Sequence, residues 1–147
     1  MLPRTHINPP GHWVTEPKLP YSQAVRCGEL IFTTGQVALD IDLTVIAATD
    51  SRGQIRAAVD DLCGVLDAAD AGPSDLVQLR AFYIPTSTLT NDEITEWIGQ
   101  GLGSLEEAGP AITLVPVEML MSPGVLFEIE GIAMLGQSGH PLDRTAA

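Results

Sequence analysis

Phe127-Glu128-Ile129-Glu130-Gly131-Ile132-Ala133 opens with apolar and acidic residues in strict alternation. A period of two is the pattern of a β-strand, whose successive side chains leave opposite faces of a sheet. Extended to Val125–Met134, the segment puts Leu126 and Ile132 on the same side as Glu128 and Glu130. Both faces of this strand are therefore partly apolar, and the face carrying the carboxylates calls for a cover, for which an oligomer is the natural source.

Working outward, Ser122-Pro123-Gly124 reads as a turn after a strand in Ala111–Leu120, which Gly109-Pro110 introduces. Upstream, Thr90-Asn91-Asp92-Glu93 has the pattern of a capping box, in which a threonine and a glutamate three residues on satisfy each other's free backbone donors. A helix should follow, with Ile94, Trp97, Ile98, Leu102 and Leu105 turned to the core. Leu76–Ile84 is a strand with Val77, Leu79, Ala81 and Tyr83 on one side. Ser51–Ala71 places Ile55, Val59, Leu62, Leu66 and Ala69 on one helical stripe, with Asp60, Asp61 and Asp67 opposite, and Gly72-Pro73 stops it. Tyr21–Leu39 contains two short strands around Cys27-Gly28-Glu29. Residues 1–20 hold five prolines and form an extended arm without a regular element, 21–135 a single domain, and 136–147 a flexible tail. The order of elements gives an α+β layer, two helices on one face of a mixed sheet.

The 147 residues carry a formal net charge of −12, with seven basic residues scattered from Arg4 to Arg144. Such a chain repels phosphates and anionic lipid surfaces, and its two Trp, two Tyr and three Phe form no stacking platform beside a basic groove. Nucleic acid and membrane are thus excluded as expected partners. No apolar run approaches the roughly 18 residues of a membrane span, and Met1-Leu2-Pro3-Arg4-Thr5-His6 lacks the pattern of a signal peptide. A cytoplasmic location follows as the expectation. Cys27 and Cys63 lie in no metal-spaced cluster and read as buried free thiols.

His6, His12 and His140 all fall in the terminal arms, which argues against a histidine triad and against a metal site. Gly99-Gln100-Gly101-Leu102-Gly103 sits inside a helical pattern and reads as small residues for close packing. Glu128 and Glu130 read in two ways. A buried pair raises a carboxyl pKa toward the range of a general acid or base, whereas a solvated pair is merely hydrophilic. Tyr21 is placed where a phenol can line a cleft. Thr33-Thr34-Gly35 either offers hydroxyls and an approachable backbone to a ligand or forms a β-bulge.

Pro20-Tyr21-Ser22-Gln23-Ala24, Thr33-Thr34-Gly35-Gln36 and Phe127–Ala133 together resemble the Rid (YjgF) family of reactive-intermediate deaminases, over roughly Pro20 to Ala133. The resemblance implies a chorismate-mutase-like fold and a homotrimer with clefts between subunits. It also implies hydrolysis of 2-imino or 2-enamino acids to 2-oxo acids and ammonia, with no metal and no organic cofactor. By position it implies that Tyr21 lines the cleft, that Thr34 and Gly35 contact a small-molecule ligand, and that Glu128 holds the attacking water. The family's Pro-Ala-Arg segment, whose arginine grips the substrate carboxylate, reads Pro110-Ala111-Ile112 here, and the position two residues on is Leu114. The expectation is a site that takes a neutral or apolar imine, enamine or related intermediate. A noncatalytic ligand-binding or protein-partner module is the alternative. A conventional 2-imino-acid deaminase, with Arg80 or Arg26 as a relocated cation, is the third reading.

Overall fold

The computed structural model describes residues 3–13, 20–86, 89–103 and 109–136. The strands are β1 (Arg4–Ile7), β2 (Ala24–Cys27), β3 (Leu30–Thr33), β4 (Gln36–Val37), β5 (Leu76–Tyr83), β6 (Ala111–Pro116) and β7 (Phe127–Met134). The helices are α1 (Ser51–Asp67) and α2 (Asn91–Gly101). They build one mixed sheet in the order β1-β2-β3-β7-β5-β6, in which β4 also pairs with β7. Among the described residues β5 and β6 alone run parallel; the other pairings are antiparallel. This is the expected α+β architecture.

Both helices pack on one face of the sheet. Ile55, Val59, Leu62 and Leu66 of α1 and Ile94 and Ile98 of α2 are fully buried against Ile31, Leu79, Ala81, Phe127, Ile129 and Ala133 of the strands. The capping box of α2 forms as its residues indicate: Glu93 N–H donates to Thr90 Oγ1 at 3.2 Å, and Thr90 N–H donates to Glu93 Oε2 at 3.0 Å. The Thr90 N–H bond, joined by one from Thr90 Oγ1 to Glu93 Oε2 at 2.8 Å, favours the charged carboxylate and holds Glu93 below its ordinary pKa. A second apolar cluster of Trp13, Val37, Leu39 and Val125 lies under the connection that leads into α1.

Several expectations need correction. The arm contains a strand: Arg4–Ile7 falls between prolines and pairs with β2, from Arg4 opposite Cys27 to Ile7 opposite Ala24. The local prohibition on regular structure thus does not reach these four residues, because their hydrogen bonds come from a distant part of the chain. Val77 is 42% exposed whereas Leu79, Ala81 and Tyr83 are buried. A register shift between Leu76 and Gln78 breaks the alternation there, so Leu76 takes the inward place. Helix α1 ends at Asp67, short of Ala71. The thiols of Cys27 and Cys63 are half-buried rather than buried. Leu105 and the tail from 137 onward lie outside the described residues.

Close packing by small residues holds at one of the three glycines around α2. A Cβ on Gly101 would stand 2.7 Å from Cγ1 and 3.1 Å from Cβ of Val59, a buried and β-branched neighbour with little freedom to yield, whereas a Cβ on Gly99 meets nothing within 4 Å. Gly101→Ala should therefore destabilise the fold by about 1–3 kcal/mol through overpacking. Gly99→Ala should stabilise it by up to about 1 kcal/mol through helix propensity. Urea denaturation of the two variants checks the pair; equal effects of the same sign would contradict this packing.

Candidate functional site

The central strand β7 turns Phe127, Ile129 and Ala133 to the helices, all within 1% of complete burial. Alternation then sends Glu128, Glu130 and Ile132 to the opposite face. That face carries exposed apolar groups, with Leu30 39% and Phe32 43% accessible on β3. Arg80, which is opposite Glu130 in the β5·β7 ladder, forms an ion pair with it, Nη2 to Oε1 at 2.7 Å. Among the described residues Glu128 has no such partner. Burial first, and the charge of Glu130 second, push the Glu128 carboxyl above its ordinary value.

The stretch Thr33-Thr34-Gly35 forms the bulge. Phe32 pairs with Ile132 and Gln36 with Ile129, so three residues on one strand face two on β7. Thr33 fills the interrupted ladder with its side chain: Gly131 N–H donates to Thr33 Oγ1 at 2.8 Å, and the same hydroxyl donates to Gly131 O at 3.3 Å. The bulge also brings the chain against Glu128. A Cβ on Gly35 would stand 2.6 Å from Glu128 Cδ and closer still to Oε1, so the close approach that glycine permits here is made by the carboxylate itself.

Tyr21, 43% exposed, and Thr34 line a shallow depression of about 560 Å³ together with His6, Ser22, Val25 and Phe32. Glu128 does not line it but adjoins it through Thr34-Gly35. Two buried glutamines hold this segment. Thr34 N–H donates to Gln23 O at 2.8 Å, and Gln36 Nε2 donates to Gln23 Oε1 at 2.9 Å and to Thr34 O at 3.1 Å. Both lie in the segments that carry the family resemblance, yet they are polar residues at 0% exposure, a state no hydropathy pattern indicates.

Ile112 and Leu114 are not brought to this group. Their register partners on β5 are Leu79 and Ala81, which turn to the helices, and Leu114 packs against the main core. Ile112 is 37% exposed on the sheet's edge strand. Within one chain both therefore lie on the other side of the sheet from Glu128, whose partner Phe82 stands opposite Val115. Of the two candidate relocated cations, Arg80 is on the face of Glu128 but committed to Glu130, and Arg26 is paired with Asp70 at 3.6 Å. No group of three or more His, Cys, Asp or Glu could hold a metal ion among the described residues. No described helix is long and apolar enough to cross a membrane.

The family model described as Endoribonuclease L-PSP matches residues 14–135. The chain belongs to this Rid/YjgF family. It is 29% identical over 116 residues to a RutC family protein of Pyrococcus abyssi, covering 78% of this chain and 85% of that one. It is 28% identical over 82 residues to a 2-iminobutanoate/2-iminopropanoate deaminase of Dermatophagoides farinae, covering 56% and 62% respectively. The crystal structure of Rv2704 from Mycobacterium tuberculosis, described as a member of the YjgF/YER057c/UK114 family, superposes with a TM-score of 0.70 at 28% identity, covering 90% of this chain and all of that one.

The Gly35–Glu128 contact yields a test within this Rid-family fold. Because Glu128 is a flexible side chain that can swing aside, Gly35→Ala should cost on the order of 1 kcal/mol. In a Glu128→Ala background most of that cost should vanish, the coupling expected of touching residues. Chemical denaturation of the four chains decides it, and additive costs would contradict the contact.

Proposed function

We propose that this Rid-family protein is a small-molecule enzyme that hydrolyses or rearranges an imine- or enamine-type intermediate, with Glu128 as its acid/base. The observation that carries the reading is the position of Glu128: half-buried, unpaired by any described cation, raised in pKa by burial and by Glu130, and pressed against the bulge at Gly35. A carboxyl raised toward neutrality both takes and returns a proton at working pH. For a simple imine, Glu128 takes a proton from water as the oxygen bonds to the imine carbon. It passes that proton to nitrogen, and the resulting carbinolamine loses ammonia to leave a carbonyl. Tyr21 and Thr34 position the ligand from the adjoining depression. No step draws on a metal or an organic cofactor.

The substrate class follows from charge. Among the described residues Arg80 is occupied by Glu130 and Arg26 by Asp70, and position 112 is apolar, so neither candidate arginine is free to grip a carboxylate beside Glu128. A charged hydrogen bond contributes about 1.5–3 kcal/mol, and a 2-imino acid forgoes it here. The reading therefore favours a neutral substrate. It places the complete site between subunits of a homotrimer, in which a neighbour covers the face bearing Leu30 and Phe32 and brings Ile112 and Leu114 of one chain toward Glu128 of another. The net charge of −12 supports a small-molecule ligand over the RNA that the family's description names. A cytoplasmic setting accords with these expectations.

The test uses imines generated in situ and scored by competition with semicarbazide. A neutral aliphatic imine should be consumed by the natural chain, and Glu128→Gln should lower that turnover by at least about 100-fold. 2-Iminopropionate should be turned over at least about tenfold more slowly than the neutral imine, the loss expected for a missing charged hydrogen bond. Indistinguishable rates for natural chain, Glu128→Gln and buffer would leave a noncatalytic binding module as the account. Fast turnover of 2-iminopropionate would restore a conventional deaminase with a relocated cation.

A further inference from the structure

Thr34 and Gly35, which bring the chain against Glu128, have left the ladder to β7, whose pairs stop at Phe32 with Ile132 and resume at Gln36 with Ile129. Among the described residues, the backbone of Thr34 is held instead by two glutamines. Its N–H donates to Gln23 O at 2.8 Å, and its carbonyl accepts from Gln36 Nε2 at 3.1 Å. Gln36 Nε2 also donates to Gln23 Oε1 at 2.9 Å, so both supports meet at Gln23. The place of the bulge beside Glu128 is therefore only as definite as the place of Gln23.

Gln23 lies one residue beyond the last pair of the β1·β2 ladder, Ile7 with Ala24, and Pro9-Pro10 stops the arm from pairing further. A side chain of the arm completes the rung: Gln23 N–H donates to Asn8 Oδ1 at 2.9 Å. Gln23 is 0% exposed, so its N–H depends on this acceptor as long as the chain stays in place. The preceding residue is tied to the arm in the same manner, with His6 Nδ1 2.9 Å from Ser22 Oγ. Ser22 and Gln23 directly follow Tyr21, whose ring belongs to neither apolar cluster of the described residues. The arm thus fixes the stretch that carries the phenol as well as the stretch that meets the carboxylate.

We propose that Asn8 is a positioning residue for the Glu128 site: through Gln23 it holds Thr34 and Gly35 against the carboxylate and Tyr21 at the depression. This role rests on the reading of Glu128 as the acid/base and is exerted from outside the site, since Asn8 does not line the depression. Without the acceptor, Gln23 must shift for its N–H to reach water, and Thr34 shifts with it. The carboxylate then loses the backbone that shields it.

Three variants test it. Asn8→Ala removes the acceptor, Asn8→Asp retains one, and Gly101→Ala, which strains α2 against α1 on the helix side of the sheet, controls for lost stability alone. The readouts are hydrogen exchange of the Thr34 amide, NMR titration of the Glu128 carboxyl carbon, and kcat and KM for a neutral aliphatic imine. Asn8→Ala should speed Thr34 exchange at least about tenfold, move the Glu128 titration downward as the carboxyl gains water, and lower kcat at least about tenfold. Asn8→Asp should return all three toward the natural chain, and Gly101→Ala should leave the titration and kcat unchanged. Natural Thr34 exchange and natural Glu128 titration in Asn8→Ala would overturn the proposal, as would the same changes of titration and kcat in Gly101→Ala, or no recovery in Asn8→Asp. If the natural chain turns over no imine, the proposed reaction fails, and the two NMR readouts still decide whether Asn8 positions the bulge against Glu128.

Discussion

The structure depends on the period of two imposed on β7. This strand is hydrogen-bonded along both edges, to β3 and β4 on one side and β5 on the other, so its side chains have no freedom to rotate away from the sheet faces. Phe127, Ile129 and Ala133 must enter the core beneath the helices, and Glu128 and Glu130 must then share the opposite face. Arg80 neutralises only the second carboxylate. The asymmetry between two chemically identical groups, one paired and one not, thus arises from strand register and the position of one arginine.

An unpaired, half-buried carboxylate opposes folding when ionised. Because burial raises the folded-state pKa of Glu128 above its ordinary value, its contribution to stability declines as pH rises from that ordinary value through the raised one. Asp61, on the far side of the sheet, acts in the same direction between about pH 4 and about 7. The bulge at Thr33-Thr34-Gly35 works with this arrangement: Thr33 repairs the ladder, the Gln23–Gln36 pair fixes the backbone, and Gly35 leaves room for the carboxylate.

Most of the fold was legible in the sequence, because amphipathic helices and half-buried strands write their periods directly into hydropathy. The stripe from Ile55 to Leu66 and the capping box at Thr90 specify the two helices from neighbouring residues alone. What was not legible depends on contacts between distant segments. Strand β1 is set by pairing with β2, and Val77 is turned outward by a register shift that hydropathy does not record. His12 meets Asp61 only after the arm folds onto α1. In the candidate site, the shared face of Glu128 and Glu130 could be read from spacing, whereas the approach of Gly35 to Glu128 could not. The resemblance grouped Ile112 and Leu114 with them, but the ladder puts those two on the opposite face within a single chain.

The central claim is that register and burial leave Glu128 as the raised, proton-exchanging member of the pair. Titration of the glutamate side-chain carboxyl carbons by NMR, in the natural chain and in Glu130→Gln, tests it most directly. The account predicts that Glu128 titrates above the ordinary glutamate value and moves downward when the neighbouring charge is removed. Titration of Glu128 at or below the ordinary value, with no response to Glu130→Gln, would contradict it.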